Sequence, residues 1–336
     1  WVKMEYRVFV ASRSFGRFVD DGIRLLAKEA VMVRNPYGRA LTSEELENSL
    51  RDADAALLGN DVCDSEVLSS AKNLKVVSRH GVGVDNVDLE AATENGIIVA
   101  NTPGVNKTAV AEHTMALILS LLRKIPQADA SLRSGKWQGP KFMGNELAGR
   151  KLGIIGLGAI GMEVAKRAKC FGMDVLYLKR RQREDLERGI GIVYRPLEQL
   201  LRESDVVSIH LPLTPETKGM IGERELALMN KDAYLINTAR GEVVDDAALT
   251  EALIERRIAG AALDVFGKEP PDFDDPLFQL DNVIFTPHVG AYTLEAVRKM
   301  DLISAENIVK VFHGQKPDFV VNKEVLSRSN LRLGSE

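Results

Sequence analysis

Hydrophobic and polar positions alternate along the chain between short apolar runs and longer segments with helical periodicity. In the first hundred residues, the apolar runs predict β-strands at 6–10, 31–35, 55–59, 76–79 and 97–101. Helical segments separate them. One begins at Thr42, where Glu45 three residues later completes a capping-box pattern, and another covers 88–95. Strands that alternate with helices predict a parallel sheet wound by right-handed crossovers.

A second series of strands and helices begins at Lys151, after a long apolar helix predicted at 108–123. Because that helix carries apolar residues on several faces, we expect it to be buried in a core or in a subunit interface. Six strands, enough for a doubly wound dinucleotide-binding sheet, are predicted at 152–156, 175–178, 206–210, 234–237, 261–265 and 283–285. A last helix, from 292 to about 312, is predicted to return to the first domain.

Composition narrows the class of protein. The chain has 336 residues, a length typical of two domains, with 45% hydrophobic and 27% charged residues. Its net charge of -4, with acids and bases interspersed, argues against nucleic-acid and membrane partners. The longest apolar run, at 116–122, is far shorter than the roughly 20 residues of a membrane span. The two cysteines, Cys63 and Cys170, are expected to be buried or inert thiols in a reducing, cytoplasmic compartment.

A glycine-rich loop opens the second series. Gly156, Gly158 and Gly161 form a G-x-G-x-x-G pattern between an apolar strand and a helix, the context that a dinucleotide-binding loop requires. Gly156 permits a tight turn, Gly158 lets the backbone approach a pyrophosphate, and Gly161 lets the helix pack on the strand. We therefore predict a dinucleotide cofactor at this loop, where the helix begins with Ala159 and Ile160.

The end of the next strand bears on which dinucleotide binds. An NAD site places Asp or Glu about 20 residues after the loop, where it binds the ribose 2′-hydroxyl. Here the strand ends in Lys179, Arg180 and Arg181, cations that suit a 2′-phosphate. The sequence favours NADP(H) over NAD(H). The alternative is a solvated basic loop in an enzyme that uses NAD.

Three side chains that follow successive strands of this sheet carry candidate chemistry. Because function gathers beyond the carboxyl ends of parallel strands, we expect Arg240, Glu269 and His288 to converge. Reduction of a 2-oxo acid needs a clamp for the carboxylate, a hydride source and an acid for the developing alkoxide. Arg240 offers the clamp, His288 the acid-base, and Glu269 a partner that orients the imidazole.

Other histidines carry weaker signals. His210 and Pro212 follow a strand and are predicted to wall the cofactor pocket, whereas His113 on the long helix is expected in a core or an interface. His313 is expected near a helix end and exposed. No metal-ligand constellation is predicted, so a zinc-dependent mechanism has no support in the sequence.

These residues, with stretches spread over nearly the whole chain, resemble the D-isomer-specific 2-hydroxyacid dehydrogenase family. Within the family the chain is most similar to D-3-phosphoglycerate dehydrogenases and to glyoxylate/hydroxypyruvate reductases. The matching stretches occur in family order at 78–88, 101–104, 110–115, 156–161, 237–241, 264–270 and 287–291.

The resemblance implies two doubly wound parallel-sheet domains of an α/β fold with the active site in the cleft. A flavodoxin-like substrate domain would comprise 1–103 and 292–325, and an inserted Rossmann cofactor domain 104–291. The long helix near His113 would form a homodimer interface. The resemblance also implies that Val82 and Gly83 backbone amides, with Arg240 and His288, hold the substrate. Around the cofactor it places Val82, Ile160, Lys179, Pro212, Thr217, Thr238, Ala239, Arg240, Asp264, His288 and Gly290.

The phosphate site of a phosphoglycerate dehydrogenase is only partly present. An arginine usual after the third strand is replaced by Gly59, Asn60 and Asp61, with an acid where a phosphate would need a cation. Arg79 and Lys141 remain as candidate anion ligands.

We therefore expect a hydride transfer between NAD(P)H and a small unphosphorylated 2-oxo acid, in a glyoxylate/hydroxypyruvate-type reductase. The alternatives are an NAD-dependent D-3-phosphoglycerate dehydrogenase and a dinucleotide-sensing corepressor of the same fold, because fold and site alone do not prove turnover.

Overall fold

The computed structural model of the chain describes residues 6–334. Contacts divide the chain into two compact units. Unit 1 comprises the described part of Trp1–Asn106 and Tyr292–Glu336, and unit 2 comprises Lys107–Ala291. Within the described range, no helix combines the length and the apolar character needed to cross a membrane.

Helices and strands alternate in both units. In chain order, the first part of unit 1 contains β1 (Tyr6–Val10), α1 (Asp21–Leu26), β2 (Ala30–Arg34), α2 (Ser43–Leu50), β3 (Ala55–Leu58), α3 (Ser65–Ser70), β4 (Val76–Arg79), α4 (Leu89–Glu94) and β5 (Ile98–Ala100). Unit 2 contains α5 (Lys107–Leu122), α6 (Ile125–Arg133), β6 (Lys151–Ile155), α7 (Ala159–Cys170), β7 (Asp174–Leu178), α8 (Glu184–Ile190), β8 (Ile192–Tyr194), α9 (Leu197–Glu203), β9 (Val206–Ile209), α10 (Glu223–Leu226), β10 (Tyr234–Asn237), α11 (Asp246–Ile254), β11 (Gly260–Leu263) and β12 (Val283–Phe285). The helix α12 (Leu294–Phe312) belongs to unit 1.

Unit 1 is built on a five-stranded parallel sheet in the order β2-β1-β3-β4-β5. This is the flavodoxin-like order of a doubly wound sheet. Successive residues of a strand face opposite sides, and both sides are covered. Phe9 lies in one core cluster, whereas Val8 and Val10 lie in another with α12 residues such as Phe312.

Unit 2 is built on a seven-stranded parallel sheet in the order β12-β11-β10-β9-β6-β7-β8. The strand order reverses at β6 and β9, the switch point beside which a Rossmann sheet binds a dinucleotide. The predicted α/β fold with two doubly wound parallel sheets is confirmed. The prediction of six strands in this sheet is wrong, because it missed β8. That strand has only three residues, lies at the sheet edge and buries Ile192 alone, so its apolar signal is weak.

The long apolar helix α5 lies in the core of unit 2. Its residues Ala111, Met115 and Ile118 pack in one cluster with Leu152 and Ile154 of the sheet. The expected burial of this helix is therefore satisfied within its own unit, which leaves little apolar surface on α5 for a partner subunit. The next helix, α6, has no buried residue.

The capping box predicted at Thr42 is present. The Thr42 side chain accepts a hydrogen bond from the Glu45 N–H, and the Glu45 carboxylate accepts one from the Thr42 N–H. Each bond satisfies a donor that the first turn of α2 cannot pair within the helix.

We expect Thr42→Ala to lower the free energy of unfolding by about 1 kcal/mol, the usual cost of losing such a cap. Ser49→Ala in the same helix is the matched control, since the Ser49 hydroxyl donates only to the Glu45 carbonyl and alanine favours the helix. Urea denaturation measures both variants. Equal stability of the two would contradict the role of the cap.

Candidate active site

The glycine loop joins β6 to α7. Gly156 has a φ of +102°, and a Cβ there would lie 2.6 Å from the His210 carbonyl oxygen. A Cβ on Gly161 would lie 2.4 Å from the Gly156 oxygen, so both glycines are required by the close packing of the backbone itself. A Cβ on Gly158 would meet nothing within 4 Å. Gly158 therefore faces open space where α7 begins, and no side chain caps the N-terminus of that helix.

This geometry suits the pyrophosphate of a dinucleotide. The N–H groups in the first turn of an α-helix have no acceptor within the helix and attract an anion. The open face of Gly158 lets a ligand approach those N–H groups closely, as the predicted role of this glycine requires.

At the basic end of β7, three cations were expected to be available to a 2′-phosphate, but Lys179 is used within the protein. The Lys179 ammonium donates a hydrogen bond to the Leu157 carbonyl oxygen at 3.0 Å and so braces the glycine loop. Arg180 and Arg181 are exposed. Arg180 also lies near Glu216, whose pKa is lowered first by the hydrogen bond from Thr214 and also by the charge of Arg180. The exposed cations at this strand end are therefore the two arginines.

The loop after β9 forms a compact turn. The Thr217 hydroxyl donates to the Pro212 carbonyl oxygen at 2.7 Å and accepts from the Thr214 N–H at 2.8 Å. The Nε2 of His210 lies 2.9 Å from the Ser208 hydroxyl, and burial lowers the pKa of His210 to about 4. His210 is therefore a neutral imidazole near neutral pH, and Thr217 shapes the turn that carries Pro212.

Arg240 follows β10 in a loop that Asn237 shapes. The Asn237 side chain accepts a hydrogen bond from the Ala239 N–H and donates one to the Arg240 carbonyl oxygen. The Arg240 guanidinium donates to the Ala239 carbonyl oxygen at 2.8 Å. The neighbouring Thr238 hydroxyl lies 3.0 Å from the Thr114 hydroxyl of α5.

The loop after β11 packs directly against the Arg240 loop. A Cβ on Gly241 would lie 2.0 Å from the Phe266 carbonyl carbon, so the two backbones touch where only glycine fits. The Phe266 N–H in turn donates to one carboxylate oxygen of Glu269 at 3.3 Å. This chain of contacts brings the loops that carry Arg240 and Glu269 together.

Glu269 and His288 form a close pair. The other carboxylate oxygen of Glu269 lies 2.7 Å from the Nδ1 of His288, and the two side chains are 30% and 34% exposed. A carboxylate at Nδ1 fixes the ring orientation and leaves Nε2 as the nitrogen that can meet a substrate. His288 has a φ of +53°, an uncommon conformation for a residue other than glycine.

Asp264 holds the segment that carries His288. Its carboxylate is 2% exposed and accepts hydrogen bonds from the Thr286 hydroxyl and from the N–H groups of Val289 and Gly290. The His113 Nε2 lies 3.4 Å from the same carboxylate and 3.0 Å from the Thr286 hydroxyl. Burial raises the pKa of Asp264, but these donors outweigh it and hold the pKa below its usual value.

His113 and Thr286 are residues that the sequence reasoning missed. His113 was expected in a core or an interface, yet its imidazole hydrogen-bonds to Thr286 beside Asp264. One feature of the sequence pointed to a functional role for His113: it lies at 110–115, one of the stretches that carry the family resemblance. Because its neighbours in the helix are apolar, the sequence pattern indicated a core or interface position rather than a contact with Thr286.

In unit 1, the loop after β4 presents unpaired backbone amides. The Gly81 carbonyl accepts from the Thr102 N–H, and the Val82 carbonyl accepts from the Asn101 side chain. Among residues 6–334, the N–H groups of Val82 and Gly83 have no hydrogen-bond acceptor. Successive unpaired N–H groups in a turn form a concavity that attracts an anion.

Two residues near this loop, Arg79 and Asp61, are buried, whereas the sequence led us to expect both where a substrate phosphate would lie. Arg79 is buried, and its guanidinium donates to the Asn60 side chain and to the His80 carbonyl oxygen, so it braces the loop from below. Asp61 is also buried, and its carboxylate accepts from the Leu41 N–H at 2.9 Å. The expectation that Asp61 presents a charge where a substrate phosphate would lie is therefore wrong, because the backbone donor turns it inward.

The remaining candidate ligands play no part in this arrangement. Within residues 6–334, no group of three or more His, Cys, Asp or Glu side chains is arranged to hold a metal ion. His313 lies at the end of α12, half exposed, with its Nε2 3.1 Å from the Glu29 carboxylate. Cys63 is buried, which raises the pKa of its thiol to about 12. Cys170 is exposed. Both thiols were expected to be buried or inert, and of the two Cys63 is buried.

Comparison with known proteins supports one family. Residues 115–290 match the family model described as D-isomer specific 2-hydroxyacid dehydrogenase, NAD binding domain. The chain is 43% identical over 336 residues to a glyoxylate reductase of Thermococcus litoralis, covering 97% of this chain and 99% of that protein. It is 46% identical over 317 residues to a D-3-phosphoglycerate dehydrogenase of Methanocaldococcus jannaschii, covering 93% of this chain. This chain spans 59% of the length of that second relative.

A solved structure with a similar fold is the TT0316 protein from Thermus thermophilus. It is 39% identical, with a TM-score of 0.84 over 94% of this chain and 99% of that chain. The family and the enzyme class predicted from the sequence, an oxidoreductase with a nicotinamide dinucleotide site, are confirmed. By its glycine loop, its strand-end residues and these full-length similarities, the chain belongs to the D-isomer specific 2-hydroxyacid dehydrogenase family.

Proposed function

We propose that this protein reduces a small 2-oxo acid, of the glyoxylate or hydroxypyruvate type, to the D-2-hydroxy acid with NADPH. The observation that carries the proposal is the 2.7 Å pair of Glu269 and His288, with the loop that carries Glu269 packed against the Arg240 loop. The similarity to glyoxylate reductases over almost the whole chain supports the substrate class.

The proposed mechanism assigns one task to each residue. The hydride that the substrate's carbonyl carbon accepts would come from a reduced nicotinamide held by unit 2. His288 donates the proton from Nε2 to the carbonyl oxygen, and Glu269 at Nδ1 stabilises the charged imidazolium that precedes this transfer. The Arg240 guanidinium binds the substrate carboxylate and polarises the carbonyl, as a forked cation can. The Val82 and Gly83 amides of unit 1 bind the carboxylate.

We assign the binding of the cofactor pyrophosphate to unit 2. The open face of Gly158 at the start of α7 would receive the pyrophosphate, with Ala159 and Ile160 beside it. The predicted limits of the cofactor domain, 104–291, and of the substrate domain, 1–103 with 292–325, remain part of this proposal.

The NADP(H) preference rests on Arg180 and Arg181. Both are exposed at the end of β7, and the sequence places no carboxylate at 178–181 to bind a ribose 2′-hydroxyl. Guanidinium groups can bind a 2′-phosphate through paired hydrogen bonds. Lys179 contributes charge while its ammonium braces the glycine loop.

A D-3-phosphoglycerate dehydrogenase is the second candidate, favoured by one specific observation. Because Asp61 is turned inward, its carboxylate does not oppose a substrate phosphate at the end of β3. The test of both candidates is a panel assay with glyoxylate, hydroxypyruvate and phosphohydroxypyruvate, each with NADPH and NADH. Highest kcat/KM for phosphohydroxypyruvate with NADH would replace the main proposal by this candidate, and absence of turnover on the panel would favour the corepressor.

We also propose a homodimer and a cytoplasmic location. Apolar side chains on and after α6 are exposed, with Leu132 at 58%, Trp137 at 89% and Met143 at 79%. Exposed apolar side chains grouped in one stretch of chain suit a protein contact, and we assign this stretch rather than α5 to the partner subunit. The two free cysteines support the reducing compartment.

We expect His288→Asn to lower kcat by at least about a hundredfold, because it removes the general acid. Glu269→Gln should lower kcat less, since the amide still orients the ring but no longer balances its charge. Steady-state kinetics with glyoxylate and NADPH measure both. His313→Asn, on the exposed histidine at the end of α12, is the control and should keep normal kcat. Near-normal turnover by His288→Asn would refute the assignment.

We expect Arg180→Ala to raise the KM for NADPH about tenfold and to leave the KM for NADH nearly unchanged. The reason is that a charged hydrogen bond to a phosphate contributes about 1.5–3 kcal/mol, which a 2′-hydroxyl does not provide. Arg188→Ala, an exposed arginine on α8, is the control. A wild-type enzyme that prefers NADH would contradict the proposed role of the basic strand end.

Gly158→Ala and Gly161→Ala form a matched pair. We expect Gly158→Ala to keep the stability of the fold but to raise the Kd for NADPH about tenfold, because its Cβ enters the open space that the pyrophosphate needs. Gly161→Ala should in addition lower the unfolding free energy by about 1–3 kcal/mol, because its Cβ meets the Gly156 oxygen. NADPH titration and urea denaturation separate the two. Unchanged NADPH affinity in Gly158→Ala would place the pyrophosphate elsewhere.

A further inference from the structure

A further histidine–carboxylate pair lies in the interior of unit 1. The Nε2 of His80 is 2.6 Å from the Asp301 carboxylate of α12, and the side chains are 2% and 0% exposed. Taking two such groups out of water is costly unless their remaining polar atoms are satisfied. The proposed reaction uses neither side chain, so the pair needs an explanation of its own.

The remaining polar atoms of the pair bind the loop that follows β1. The Nδ1 of His80 lies 3.1 Å from the Ser12 hydroxyl and 3.3 Å from the Ser14 hydroxyl. The second carboxylate oxygen of Asp301 accepts a hydrogen bond from the Gly16 N–H at 2.9 Å. The pair therefore ties α12 to the loop at residues 12–16.

The backbone of His80 leads directly into the loop with the unpaired amides. The His80 N–H donates to the Leu58 carbonyl at the end of β3, and its carbonyl accepts from Arg79. The next residue, Gly81, has a φ of +153°, and a Cβ there would lie 2.8 Å from the Arg79 guanidinium. Only Gly81 separates His80 from the two amides, so the place of the His80 backbone sets where the turn at 81–83 begins.

We propose that the His80–Asp301 pair is a positioning pair for substrate binding. It holds the turn at 81–83 so that the Val82 and Gly83 N–H groups point at the substrate carboxylate. The inference rests on the proposed function, because that function supplies the 2-oxo acid whose carboxylate these amides bind. His80 and Asp301 act through the loop and do not touch the substrate.

Positioning differs from a merely structural role in what it changes. Loss of a structural pair lowers stability alone. Loss of a positioning pair weakens carboxylate binding, while the proton donor and the glycine-loop site for the NADPH pyrophosphate, both assigned to unit 2, are unaffected. Glyoxylate is the sharpest probe, since it has only a carboxylate and an aldehyde with which to bind.

The experiment is a double-mutant cycle with His80→Gln, Asp301→Asn and the double variant, assayed with glyoxylate and NADPH. We expect each single variant to raise the KM for glyoxylate about tenfold, with kcat and the KM for NADPH within about twofold of wild type. The double variant should be no worse than either single variant, because the two residues act as one unit. Asp54→Asn is the control, since Asp54 pairs with Lys75 at the amino ends of the strands of the same sheet.

Ser12→Ala covers the case in which a pair variant fails to fold. It removes one contact to the His80 ring, leaves the pair itself, and should raise the KM for glyoxylate about two- to threefold with kcat unchanged. An unchanged KM for glyoxylate in the folded variants, with lower thermal stability, would overturn the inference and leave a structural pair. A wild-type enzyme that reduces no 2-oxo acid would instead overturn the proposed function, and this inference with it.

Discussion

The buried carboxylate of Asp264 is the group on which the geometry of the proposed active site depends. It accepts hydrogen bonds from two successive backbone amides, those of Val289 and Gly290, and from the Thr286 hydroxyl in the same segment. The Asp264 carbonyl accepts the N–H of His288 as well. These bonds fix the segment after β12 tightly enough to hold His288 in a left-handed conformation that is otherwise unfavourable.

The position of His288 then determines what Glu269 can do. Glu269 lies in the loop after β11, which begins with Asp264. One carboxylate oxygen of Glu269 contacts the Nδ1 of His288, and the other accepts a hydrogen bond from the Phe266 N–H. Gly241 lets the Arg240 loop lie against Phe266. A rigid scaffold of backbone contacts thus supports three polar side chains, which is the pre-organisation that catalysis by positioning requires.

Two of the histidine–carboxylate pairs within residues 6–334 have nearly the same separation and different environments. The pair of His288 and Glu269 is about one-third exposed, and one imidazole nitrogen remains for a substrate. Both nitrogens of His80 are engaged, and its pair with Asp301 is enclosed. Burial and the use of the second nitrogen, rather than the pairing itself, therefore separate a group that can exchange a proton from one that can only hold a loop in place.

The sequence by itself determined the alternation of strands and helices, the glycine loop, the strand-end residues and the family. Each of these depends on periodicity or on residues close together in the chain, so local patterns suffice to predict them. Only the tertiary structure decided that Asp61 turns inward, that Lys179 braces the glycine loop, and that a seventh strand extends the sheet. It also brought together His80 and Asp301, 221 residues apart. Such contacts follow from how distant segments pack, and no local pattern records that packing.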